Sequence, residues 1–156
     1  MSDPDADARM TVRAARLQDL TRMVAFLDAA CRGVDAEARA DLRLAMEEVF
    51  VNICRHGYRA APGPVEIRVD RAPDRVTVLI ADQAPKFDPA SIPAPDLDAG
   101  CADRELGGLG WHLVRQVMDD AGWAPGAERG NTYRLVRHLG AGATRFQTDT
   151  EQETRT

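Results

Sequence analysis

A single mixed α/β domain is what the sequence predicts. Apolar residues recur every third or fourth position in some stretches and every second position in others, and the two patterns succeed one another along the chain. A length of 156 residues, with 44% hydrophobic and 29% charged side chains, suits one buried core rather than several.

Residues 9–15 open as a short strand, with Met10, Val12 and Ala14 alternating against Thr11 and Arg13. Residues 17–31 turn helical. Leu20, Met23, Val24, Leu27 and Ala30 share a face there, and Gly33 closes the helix in a left-handed conformation. A second helix starts at Asp35 as N-cap, with Glu37 in its first turn, and runs to Gly57 with Leu42, Ala45, Met46, Val49, Phe50 and Ile53 on its apolar face. Val65, Ile67 and Val69 then alternate with Glu66, Arg68 and Asp70, and residues 75–81 are almost wholly apolar. Two antiparallel strands joined through Ala72-Pro73-Asp74 fit this pattern. From 82 to 105 the patterning stops, and Pro85, Pro89, Pro93 and Pro95 punctuate a stretch longer than an ordinary connection, as in a lid or a disordered loop. Residues 109–121 read as a helix with Leu113, Val114 and Val117 inward and Gly122 as its stop. Residues 132–139 read as a last strand, and 140–156 as a polar tail.

Several function classes drop out on composition. The formal charge is −5 and no run of Lys or Arg forms a phosphate-attracting patch, so nucleic acid is not an expected partner. Residues 1–9 are acidic without an apolar core, and no apolar stretch is long enough to span a bilayer; neither a secretory signal nor a membrane anchor is expected. Three cysteines, Cys31, Cys54 and Cys101, lack CxxC spacing and cannot close a disulfide framework, which points to a reducing, cytoplasmic setting. Lys86 is the only lysine and no GxxxxG precedes it, so a P-loop is excluded.

Three groups of residues carry chemistry. Glu48 and Asn52 stand four apart on the second helix and so share a face, with His56 one turn further, while Glu47 leaves the helix roughly a hundred degrees away and reads as a solvated charge. A carboxylate beside an amide oxygen suits a base next to a hard cation such as Mg²⁺; the same spacing is also common on plain surface helices. Asp82, followed by Pro85, Phe87, Asp88 and Pro89, ends an apolar strand, where an acid either accepts from an exocyclic amine or caps a turn. Gly107-Gly108-Leu109-Gly110 opens a helix, where free amides favour phosphate, or forms a flexible turn.

In order and spacing, ExxxNxxxHGY (Glu48 to Tyr58), DxxxxFDP (Asp82 to Pro89), GGLGWHLVRQVMD (Gly107 to Asp119) and GNTYRL (Gly130 to Leu135) resemble the GHKL, or Bergerat-fold, ATPases. Within them they are most similar to the small serine kinases that act as anti-sigma factors. The resemblance spans residues 10–139. It implies a two-layer α/β sandwich, with a mixed, mainly antiparallel sheet covered on one face by helices, and ATP held between the helices and a lid at about residues 83–106. Residues 1–9 and 140–156 then flank a single ATPase domain.

By the same resemblance Glu48 matches the general base, Asn52 the Mg²⁺ ligand, Asp82 the adenine-reading acid, and Gly107, Gly108 and Gly110, with Leu109 between them, the lid segment that wraps the phosphates. Ala84 stands where the family usually has Gly, so its methyl meets either the purine or a positive φ. Lys86 reaches a phosphate or stays in solvent, and His56, Gly57 and Tyr58 belong to the site or end the helix and pack. Trp111, Met118 and Trp123 read as core or interface, and Asp119 and Asp120 at a helix C-terminus invite a partner's basic group or plain solvation. No histidine-bearing helix precedes the domain, so a sensor histidine kinase is not expected.

The function implied is a cytoplasmic, Mg-ATP-dependent protein serine/threonine kinase. It would phosphorylate a STAS-type antagonist and, as a homodimer, bind a sigma factor. Two other readings stand beside it: a nucleotide-binding regulatory module that transfers no phosphate, and a Bergerat-like fold that has lost nucleotide.

Overall fold

The computed structural model describes residues 7–59, 61–91 and 110–140. Strand β1 (Ala8–Val12) leads through a 3₁₀ turn (Leu17–Asp19) into α1 (Leu20–Ala30), and α2 (Ala36–Asn52) follows. The hairpin β2 (Val65–Ala72) and β3 (Arg75–Asp82) comes next, then a 3₁₀ turn (Pro89–Ser91), α3 (Gly110–Val117), β4 (Asp120–Pro125) and β5 (Asn131–His138).

The local signals act where they stand in the sequence. The Asp35 carboxylate accepts from the Ala38 N–H at 2.9 Å, relieving one unpaired donor at the start of α2. Pro73 and Asp74 make the two-residue turn, so Ala72 faces Arg75 and the alternating residues of β2 and β3 stay in register, Ile67 opposite Ile80 and Val69 opposite Val78.

All four strand pairings among the described residues are antiparallel, in the order β1-β2-β3-β5-β4. Val65, Ile67, Val69, Val76, Val78, Ile80, Tyr133 and Leu135 turn their side chains to one face. Met23 and Leu27 of α1, Leu42, Met46, Val49 and Phe50 of α2, and Trp111 and Val114 of α3 cover that face. The opposite face carries Arg9, Glu66, Arg68 and Arg134, which stay wet. The two-layer sandwich with helices on one side is therefore present.

Three expectations need correction. The chain from 109 to 121 is not one helix: α3 ends at Val117, and Ala121 and Gly122 lie inside β4, an edge strand paired with β5. The second helix is α-helical only to Asn52 and continues as a π-helical turn over Ile53–Tyr58. Asp119 and Asp120 do not wait for a partner's cation. Asp119 accepts from the His138 N–H at 2.6 Å and pairs with Arg137 at 3.4 Å, and Asp120 pairs with Arg134 at 2.9 Å. Of the expected lid, residues 92–106 lie outside the described residues, as do Gly107, Gly108, Leu109, Cys101, residues 1–6 and residues 141–156. No helix among the described residues is long and apolar enough to cross a membrane.

Candidate functional site

Glu48 and Asn52 leave α2 on the side where α3 begins. The Gly110 N–H donates to the Glu48 carboxylate, and a Cβ placed on Gly110 would stand 3.7 Å from Asn52 Nδ2. Gly110 itself has φ +44°, a backbone that side chains resist. The first residue of α3 thus closes on both Glu48 and Asn52.

Asn52 is only 5% exposed, on a helix whose other buried residues are apolar. Glu48 is half-buried, and its Oε2 is enclosed without a donor among the described residues. Burial pushes the Glu48 carboxyl above the usual carboxylate range; the Gly110 N–H pulls it back, and the negative charge of Glu47 adds to the rise. Glu47 itself turns away and pairs with Arg43 at 3.0 Å, as its place on the helix predicts.

Asp82 ends β3 with 6% exposure. Its Oδ1 accepts from the Ala84 N–H at 2.9 Å and from Asn131 Nδ2 at 2.9 Å, while Oδ2 is buried with no partner among the described residues. Desolvation raises its pKa, opposed by the hydrogen bonds from Asn131 and Ala84. One oxygen is pinned and the other is left over. Native proteins rarely leave such an atom unmade, which makes Glu48 Oε2 and Asp82 Oδ2 candidate acceptors for a ligand's donors or a cation.

Asn131 organises this end of the sheet, and its role was not legible in the sequence. It pairs with Asp82 in the β3–β5 register. Its Nδ2 also donates to the Pro85 carbonyl at 3.1 Å, and its Oδ1 accepts from the Phe87 N–H at 2.8 Å and Trp123 Nε1 at 2.9 Å. Gly130 before it has φ +92°, and a Cβ there would lie 2.7 Å from the Asp82 carbonyl oxygen, so only glycine lets the loop come this close. The motif GNTYRL contained both residues, but only strand register shows that they face Asp82. Asn131→Ala should destabilise the protein by about 2–4 kcal/mol, since it strands donors of Phe87 and Trp123 together with half of the Asp82 pinning. Urea unfolding measures this; a loss below about 0.5 kcal/mol would contradict the hub.

The remaining candidates sort by contact. Ala84 is fully buried, and only Arg59 among the described non-glycine residues has a positive φ, so its methyl imposes no backbone strain. A Cβ on Gly57 would sit 3.1 Å from that methyl, so Ala84 fills space against the π-helical turn. Lys86 is exposed, with Nζ on the Ala127 carbonyl at 2.9 Å. His56 does not continue the Glu48–Asn52 face in α-helical step, because the π turn adds a residue per turn; it is exposed and stacks on Phe87 at 5.8 Å and 9°. Tyr58 accepts from the Gln83 N–H at 2.8 Å and donates to the Pro64 carbonyl at 2.5 Å, tying the π turn to the end of β3. Trp111 meets Tyr133 edge-on at 6.2 Å in the core. Cys31 and Cys54 are buried free thiols, each pushed up to about 11 by desolvation, so neither is a nucleophile at neutral pH.

Known proteins resemble this chain at the level of the whole domain. The family model described as a histidine kinase-like ATPase domain matches residues 10–137. Serine-protein kinase RsbW of Bacillus cereus (strain G9842) is 29% identical over 84 residues, which are 51% of this chain and 52% of that protein. RsbW of Bacillus mycoides (strain KBAB4) is 26% identical over the same length and shares. The chain thus spans about half the length of the curated relatives it matches. Among solved structures, the NMR structure of the histidine kinase domain of the E. coli osmosensor EnvZ covers 90% of this chain and 92% of its own at 16% identity and a TM-score of 0.45, too loose a likeness to add to the family match. With four fifths of its length inside the family model, the chain belongs to the histidine kinase-like ATPase domains.

Proposed function

We propose that this chain is a Mg-ATP-dependent protein serine/threonine kinase that works as an anti-sigma factor in a partner switch, in the cytoplasm and as a homodimer. Its substrate is a serine or threonine of a STAS-type antagonist. The phosphorylated antagonist releases the kinase, which then sequesters a sigma factor. The observation that carries the reading is the buried Glu48 Oε2, unpartnered among the described residues, beside Asn52 and Gly110 in an ATPase-family chain similar to serine-protein kinases.

In this reading Asp82 Oδ2 accepts from the exocyclic amine of adenine while Oδ1 stays on Asn131 and Ala84. Asn52 would hold Mg²⁺ through its amide oxygen, and the metal, when bound, would supply charge neutralisation for the transferring phosphate. Lys86, Ala84 and the Gly107-Gly108-Leu109-Gly110 segment complete the nucleotide site. Glu48 takes the proton of the incoming hydroxyl, whose oxygen forms the new bond to the γ-phosphorus as the bond to ADP breaks. The raised pKa of Glu48 brings it nearer neutrality, where a base is both ionised and able to hold a proton.

Partners co-purified with the chain and incubated with Mg²⁺ and radiolabelled ATP test the proposal: label on a small partner protein supports it. ATP bound without label on any partner would instead favour a regulatory module. Asn52→Ala should keep the fold, because a small side chain replaces a polar one without a charge, and should weaken ATP binding about tenfold or more in Mg²⁺ but little in its absence. Calorimetry with and without the metal compares the two, and an unchanged metal dependence would take Asn52 out of the coordination shell.

A further inference from the structure

Two adjoining cavities lie beside the constellation described above; neither is lined by Glu48, Asn52, Asp82 or Gly110, and the smaller shares Lys86 with the proposed nucleotide site. The larger, about 760 Å³, opens between the β1–α1 connection and the π-helical turn and is lined by Arg16, Arg55 and Arg59. The smaller, about 430 Å³, continues from it towards the end of β3 and is lined by Arg59, Lys86 and Arg129. His56, Tyr58 and Arg59 line both, so the two form one groove.

The charge of this groove runs against that of the molecule. Among the described residues no Asp or Glu lines either cavity, although acids outnumber bases in a chain of formal charge −5. Asp19, the acid nearest Arg16 in sequence, is outside the lining, engaged by the Arg16 N–H at 2.9 Å and by Arg22 at 3.6 Å. Lys86 and Arg129 each place one donor on a carbonyl, of Ala127 and of Gln83, and keep others, since an ammonium has three and a guanidinium five. At the rim of the larger cavity stands Leu17, 43% exposed and the single exposed large hydrophobic among the described residues. Arg59 is held at φ 55° and ψ −113°, a backbone that non-glycine residues avoid and that turns up at binding sites.

We propose that this groove docks an extended acidic segment of a protein partner, with its carboxylates on Arg16 and Arg59 and one apolar side chain against Leu17. Charge complementarity selects this occupant: guanidinium forks bind carboxylates bidentately, and a local basic groove is what lets an acidic chain capture an acidic partner in one register. The groove's extent past the π turn to Lys86 and Arg129 suits an extended chain rather than a single small anion. Docking here stands whether or not phosphate is transferred.

The test uses the full chain and a fluorescein-labelled peptide of Asp and Glu residues around one central Leu. Anisotropy should report saturable binding that weakens steeply as salt rises. Arg16→Gln and Arg59→Gln keep most of the side-chain length and remove the charge. Each should weaken the peptide about three- to tenfold, and the pair more, with circular dichroism and thermal midpoint unchanged. Leu17→Ser should weaken the Leu-containing peptide more than its Leu-to-Gly version. No binding at low salt, binding indifferent to both arginine variants, or equal binding of a labelled oligonucleotide would overturn the proposal. ATP calorimetry on the same variants keeps the two readings apart. Failure of the wild type to bind ATP counts against the kinase, whereas displacement of the peptide by ATP alone would place the groove inside the nucleotide site and overturn independent docking.

Discussion

Glu48→Gln should slow phosphotransfer to the co-purified antagonist by about a hundred- to ten-thousand-fold while leaving ATP affinity within about threefold. The amide keeps the size of the side chain and still accepts from the Gly110 N–H, so the contact between α2 and α3 survives. What is lost is the oxygen that can take a proton, the one buried without a partner among the described residues. Loss of the carboxylate also removes a desolvated charge, so the variant should be at least as stable as the wild type. Glu47→Gln is the matched control: its carboxylate pairs with Arg43 on the outer side of α2, and losing an exposed pair of this kind costs little. Labelled phosphate on the antagonist, followed over time for the three proteins, reads the result. Transfer by Glu48→Gln at the wild-type rate would remove Glu48 as base. A wild type that binds ATP yet labels no partner would leave the regulatory module standing.

Asp82→Asn should reduce the preference for ATP over GTP by about 10- to 100-fold, the worth of one hydrogen bond to a buried charge. The geometry makes this variant unusually clean. An asparagine can keep its oxygen on Ala84 and Asn131, where Oδ1 now sits, and so presents an NH₂ in place of Oδ2. A donor there opposes the amine of adenine and suits the carbonyl of guanine. Competition of the two nucleotides against a fluorescent analogue measures the ratio, and a variant as selective as the wild type would end the adenine-reading role.

The same substitution should flatten the pH dependence of stability in the empty protein. Burial raises the folded-state pKa of Asp82, so the native state holds this proton more tightly than the unfolded chain does. Stability from this group is therefore complete below the unfolded value of about 3.9 and is lost as pH rises through the raised folded value. Asp82→Asn cannot ionise and escapes that loss. Urea midpoints at acid and neutral pH should converge in the variant relative to the wild type.

Periodicity and caps made most of the fold legible in the sequence. The core face of α2, its Asp35 cap, the Gly33 stop at φ +88° and the β2–β3 hairpin are all local, because a residue's partner lies within a few positions or on the adjoining strand. The spacing of Glu48 and Asn52 was legible for the same reason: four residues on a helix are one turn. Strand β4 was not. Asp120–Pro125 holds a Gly, a Pro and two Ala, residues with little strand preference, and it is a strand because β5 lends it a ladder along an edge. The switch to a π turn after Asn52 likewise has no signature in the side chains. It accompanies the packing of Gly57 on the Ala84 methyl and the Tyr58 link to Gln83, contacts between residues some twenty-five positions apart. Asn131 shows the division most clearly. Its identity was in the motif, but its function comes from standing opposite Asp82 across the sheet, 49 positions away, where burial makes every unmet hydrogen bond costly and so turns one amide into the anchor of the site.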